Sequence, residues 1–106
     1  MTKCKICRAG DVYEGTMKAF DANGLRVLVA KVDGKWYAVS DNCSHAGASL
    51  AVGDLDAENC TVSCLLHGAV FDLTSGESLE YPLTDAKPIA TYSLSVEGDD
   101  VYIELD

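Results

Sequence analysis

The sequence predicts an all-β chain: an antiparallel β-sandwich or barrel, with a segment of different character inserted into it. Three observations carry this reading. Short runs rich in β-branched and aromatic residues are separated by Asn-Gly, Asp-Gly and Gly-Asp turns. Apolar and polar residues alternate with period two, most clearly in Ala90-Thr91-Tyr92-Ser93-Leu94-Ser95-Val96. No segment carries a long helical stripe.

Taken in order, Thr16 to Asp21 and Leu25 to Val32 read as strands joined through Ala22-Asn23-Gly24, a hairpin signal. Asp33-Gly34 turns the chain into a third strand, Lys35 to Ser40. Near the C-terminus, Ile89 to Val96 and Val101 to Leu105 flank Glu97-Gly98-Asp99-Asp100, a second hairpin. Between these groups, from about residue 41 to 82, lie short strand candidates at Thr61-Val62-Ser63 and Ala69-Val70-Phe71-Asp72 and a Thr74-Ser75-Gly76 turn. This stretch is expected to be an excursion from the basal β domain, since about 40 residues would not fold alone without a metal.

Length and composition bound the possibilities. At 106 residues, with 48% hydrophobic residues, the chain has the size of one domain, residues 1–106, with a real core. Met1 to Gly10 holds Lys3, Lys5 and Arg8 but no apolar signal-peptide core, and no apolar run approaches the roughly 20 residues of a membrane span. A cytoplasmic protein that binds no membrane is the expectation. The net charge of −9 argues against nucleic acid, which needs a basic footprint, and suits docking on a basic patch of a partner protein. Five cysteines make an odd count, and a reducing compartment disfavours a disulfide framework.

The chemistry concentrates at two places. Both histidines follow a cysteine at short spacing, in Cys43-Ser44-His45 and Cys64-Leu65-Leu66-His67. One thiolate and one imidazole from each of two loops make a metal site the default reading. A mononuclear zinc could use Cys43, His45, Cys64 and His67. So could a binuclear iron–sulfur cluster with two cysteines on one iron and two histidines on the other. Zinc sites group like ligands in C-x-x-C and H-x-x-x-H pairs, and these spacings are of neither kind.

Around the ligands the chain reads C-x-H-x-x-x-x-L from Cys43 to Leu50 and C-x-x-H-G-x-x-F-D from Cys64 to Asp72, followed by Gly76. These boxes resemble those of the Rieske family. Trp36-Tyr37-Ala38-Val39 is similar to the family's strand before the first loop. Asp54-Leu55-Asp56 falls in its linker, and Tyr81-Pro82 resembles the proline loop beside the cluster. The resemblance covers essentially the whole chain, and its nearest form is the short ferredoxin of bacterial multicomponent dioxygenases.

It implies the Rieske fold and one 2Fe-2S cluster per chain. Cys43 and Cys64 would hold the inner iron, and His45 and His67 the outer iron at the partner-facing edge. The implied role is that of a one-electron carrier, not an enzyme. It would take electrons from an NAD(P)H-dependent ferredoxin reductase and pass them to a terminal oxygenase of aromatic-compound degradation. Docking by the apolar tip (Ala46, Ala48, Leu66, Pro82) is expected, as is a monomer. Two other readings are a small Rieske subunit of an assimilatory nitrite reductase and a zinc-stabilised interaction module.

Departures from the family pattern carry information too. Ala48 and Leu66 stand where high-potential members have a second cysteine pair, so that bridge cannot form. Ala69 and Phe71 stand where those members have hydrogen-bonding serine and tyrosine. Fewer donors to sulfur, with a charge of −9, imply a low potential. Leu65 replaces a usual proline. The remaining thiols receive plain expectations. Were Lys3 to Arg8 a strand, Cys4 and Cys7 would point to opposite faces, about 10 Å apart. Cys60 is expected to be a small core residue in a strand, and Trp36, Tyr37 and Phe71 to pack the core.

Overall fold

The computed structural model describes residues 2–22, 24–41, 49–63, 70–77 and 89–105. It contains a six-stranded antiparallel sheet in the order β1-β9-β8-β4-β3-β2 and a three-stranded antiparallel sheet in the order β5-β6-β7. The strands are β1 (Thr2–Arg8), β2 (Thr16–Ala22), β3 (Leu25–Val32), β4 (Lys35–Ser40), β5 (Asp54–Asp56), β6 (Thr61–Ser63), β7 (Val70–Asp72), β8 (Thr91–Glu97) and β9 (Asp100–Leu105). The large sheet curls until its edge strands β1 and β2 come into contact, an incomplete barrel. The small sheet lies wholly between β4 and β8 in the chain.

Turn chemistry sets the registers. Asp33 and Gly34 both take positive φ (53° and 75°), the pattern of a two-residue type I′ hairpin turn, and join Val32 to Lys35. A left-handed Asp33 is tolerated because its amide and that of Gly34 both donate to the Glu14 carboxylate, at 2.6 and 2.7 Å. Gly98 takes φ 63° at the first central position between Glu97 and Asp100, as a type II′ turn demands.

β3 explains the architecture. Its inner run is buried on both faces, so alternate residues feed two cores. Val27 and Val29, with Ala38 of β4, face the barrel interior beside Val12, Val101 and Ile103. Leu28, Ala30 and Val32, with Val39, face outward and meet Leu50, Val62, Phe71, Leu73 and Ile89. The second core glues the small sheet onto the barrel wall. Trp36 packs against the first core and Tyr37 against the second, as period two requires.

Three expectations change. Ile89 and Ala90 do not extend β8, because their backbone groups bond Gly76 and Ser40 instead. Asp54-Leu55-Asp56 is no mere linker but strand β5, pairing with β6. Cys4 and Cys7 are not on opposite faces. The register of β1 against β9 shifts at Ile6, so Cys4 opposes Ile103 and Cys7 opposes Val101, and both thiols pack into the barrel core. One bulge residue turns a three-residue step, which would put the side chains on opposite faces, into a same-face relation.

Candidate metal centre

The proposed ligands Cys43, His45, Cys64 and His67 lie outside the described residues, as do Ala46, Ala48, Leu65, Leu66, Ala69 and the Tyr81-Pro82 pair. What the structure describes is the base on which their loops stand. Three loop stems meet there.

The first loop leaves the barrel at the end of β4 and returns at a short 3-10 turn, Leu50–Val52. Its stem is closed by the Leu50 amide donating to the Asp41 carbonyl at 2.7 Å. The Asp41 side chain is completely buried. One carboxylate oxygen accepts from Arg26 Nε at 2.9 Å and from Ser49 Oγ at 2.6 Å, while the other accepts from the Ala51 amide at 2.9 Å. Charge-assisted bonds of this kind contribute roughly 1.5–3 kcal/mol each, which offsets the desolvation of a buried carboxylate. Sequence reading missed Asp41. An acidic residue two places before a candidate ligand cysteine carries no signal of burial by itself.

The second loop is the connection of the β6–β7 hairpin, whose last described pair is Ser63 opposite Val70. The residues that flank the loop carrying the C-x-x-H box are therefore an antiparallel pair. Phe71, one pair further down and opposite Val62, is completely buried and belongs to the core between the small sheet and the barrel wall. Asp72 accepts from the Thr74 amide and hydroxyl, at 2.7 and 2.5 Å. These bonds hold its carboxyl below the usual carboxylate range and shape the turn that follows.

That turn ends at Gly76, where the third stem begins. Ile89 donates its amide to the Gly76 carbonyl at 2.8 Å, and a Cβ at Gly76 would collide with the Ile89 carbonyl. Gly76 also has φ 77°, so both space and conformation demand glycine. Next along, Ala90 accepts from the Ser40 amide at 2.8 Å, which ties the third stem to the first. Gly53 ties the first stem to the second, with its α-carbon packed against the Ser63 carbonyl.

Cys60 departs from expectation. It lies in the turn before β6 with φ 57°, not in a strand. Its carbonyl accepts from the Leu73 amide at 3.0 Å, and Asp56 shapes the turn by accepting from the amides of Glu58 and Asn59. The Cys60 side chain hydrogen-bonds Tyr37, which raises the phenol above its ordinary range. Cys60 thus packs beside the outer core, as expected, through a different backbone shape.

The loops held by the first two stems carry Cys43, His45, Cys64 and His67 in sequence, residue types that could hold a binuclear iron–sulfur site. The comparison with known proteins decides its kind. The family model of the Rieske [2Fe-2S] domain matches residues 2–93. The chain belongs to the Rieske family.

Its cofactor is accordingly a Rieske 2Fe-2S cluster, and the zinc reading falls away. The ferredoxin subunit of 3-phenylpropionate/cinnamic acid dioxygenase from Shigella flexneri serotype 5b (strain 8401) is 39% identical over 105 residues, spanning 99% of this Rieske domain and 95% of the relative. The ferredoxin of carbazole 1,9a-dioxygenase from Nocardioides aromaticivorans IC177 superposes with a TM-score of 0.90 over 100% of both chains, at 29% identity. A ferredoxin in a solved complex of reduced oxygenase and oxidized ferredoxin of carbazole 1,9a-dioxygenase matches with a TM-score of 0.83, at 29% identity, covering 98% of this chain and 97% of that one.

Proposed function

We propose that this Rieske domain is the one-electron carrier of an aromatic-ring dioxygenase system, accepting electrons from an NAD(P)H-dependent flavoprotein reductase and delivering them to a terminal oxygenase. The observation that carries the reading is the likeness to a dioxygenase ferredoxin subunit across nearly the full length of both chains. The carrier does no chemistry on the aromatic substrate.

Cys43 and Cys64 would hold one iron, and His45 and His67 the other. Thiolates stabilise ferric iron, so the added electron would settle on the histidine-bound iron at the loop tips, nearest a docked partner. The net charge of −9 favours encounter with a basic partner surface. The chain is read as a single domain, residues 1–106, with the cluster-binding part at about 41–82. It is read as a cytoplasmic monomer. Among the described residues no helix is long and apolar enough to cross a membrane.

Reconstitution tests this. The loaded protein, mixed with such a reductase and oxygenase, is expected to support NAD(P)H-driven turnover, and His67→Ala to abolish it. Transfer surviving in His67→Ala with an intact cluster would remove His67 from the ligand set.

A further inference from the structure

Among the described residues, Asp41 uses both its backbone groups and both its carboxylate oxygens in hydrogen bonds. Its amide donates to the Arg26 carbonyl at 3.0 Å and its carbonyl accepts from Leu50. Its carboxylate takes the Arg26, Ser49 and Ala51 donors. Residues 41 and 49–51 are the two ends of the first loop, so one side chain fastens both ends to each other. Through Arg26 it also fastens them to β3. The guanidinium is about half exposed, and its Nη1 reaches Asp21 Oδ1 at 3.9 Å. The pair therefore presents a buried negative end to the loop and a solvated positive end to the surface.

We propose that Asp41 is a positioning residue for the iron–sulfur centre, with Arg26 as its counter-charge: together they hold the two ends of the loop carrying Cys43 and His45 and contribute with opposite sign to the cluster's potential. The inference rests on the assignment of Cys43 and His45 as ligands. A latch that only filled space would be as well served by an apolar pair of equal volume. An ion pair two residues from a ligand adds a field that such a pair would not. Asparagine at position 41 keeps the shape but turns an amide donor toward Arg26, Ser49 or the Ala51 amide. It also leaves the Arg26 charge without its buried partner.

The test uses the loaded protein and three variants: Asp41→Asn, Arg26→Gln, and the two combined. Midpoint potential is read by redox titration, cluster lifetime by bleaching of visible absorption with a chelator, and fold by far-ultraviolet circular dichroism. Asp41→Asn is expected to raise the potential and to bleach at least tenfold faster than the parent. Arg26→Gln is expected to lower the potential, by less because the guanidinium is solvated. The double variant should return toward the parent potential. Potentials that stay at the parent value, or move in the same direction in both single variants, would overturn the proposal even if bleaching accelerates. Should Asp41→Asn fail to fold, Arg26→Gln decides alone: a lowered potential supports the proposal and an unchanged one overturns it. A parent protein lacking iron and sulfide would instead defeat the ligand assignment, so the two failures are separable.

Discussion

Gly53 and the carbonyl of Ser63 occupy adjoining space in which no Cβ fits. Gly53 follows the return of the first loop, and Ser63 is the residue from which the second loop departs. The backbone beside the first loop's end therefore rests directly on the backbone at the second loop's start. Gly53 takes φ −87°, so the requirement for glycine here is close approach and not a left-handed conformation.

Gly53→Ala is accordingly expected to push the two stems apart. Overpacking of this kind costs about 1–3 kcal/mol. Urea unfolding of the loaded protein should show that loss, and the visible absorption of the cluster should bleach faster than in the parent. An alanine variant with parental stability and lifetime would mean that the stems yield without strain.

Phe71 tests the core between the small sheet and the barrel. It is completely buried between the small sheet and the barrel wall, with Val62, Leu28 and Val39 in the same core. Phe71→Ala is expected to cost about 3–5 kcal/mol by loss of burial and creation of a cavity. The loss should fall first on the small sheet. Hydrogen exchange should show β6 and β7 amides opening well before those of β9.

The barrel and its hairpins were legible because each rests on local chemistry. Asp33-Gly34 must turn, and β3 reads as a continuous apolar run since both its faces are covered. The small sheet was half legible: three-residue strands such as β5 carry too few residues to show a period, and pairing with β6 creates them. The bulge at Ile6 was invisible, since it exists only against the register of β9, and with it went the placement of Cys4 and Cys7. The two Cys–His boxes stand out in the sequence by their spacing and by their family resemblance, while their geometry lies outside the described residues. Asp41 was not legible, because its burial depends on Arg26 and Ser49 arriving from other segments.

Cys7 gives a pH dependence with a defined sign. Burial foremost, with the Asp11 charge, raises its thiol from 9.0 to about 11, against a smaller opposing effect of Lys18. The folded state thus holds the proton more tightly than the unfolded state. The contribution is fully present below pH 9 and lost as pH rises from about 9 to 11. Thermal unfolding of parent and Cys7→Ala across that window should show a steeper decline for the parent. Parallel curves would mean that the thiol is not protected by burial.

By the family resemblance, positions 69 and 71 stand where high-potential members place hydrogen-bond donors beside the cluster, and the reduction potential is expected to follow from them. Ala69 and Phe71 offer no side-chain donor, and the net charge of −9 further disfavours the reduced state. A midpoint near the low end of the Rieske range, about −150 mV, is expected. Potentiometric titration well above zero would contradict this account of the site.

The central claim is that Cys43, His45, Cys64 and His67 hold a binuclear cluster with unlike iron sites. Iron and acid-labile sulfide content, measured with the electron paramagnetic resonance spectrum of the dithionite-reduced protein, tests it most directly. About two iron and two sulfide per chain, with a rhombic signal of mixed cysteine and histidine ligation, are expected. Zinc in place of iron, or iron without sulfide, would contradict it.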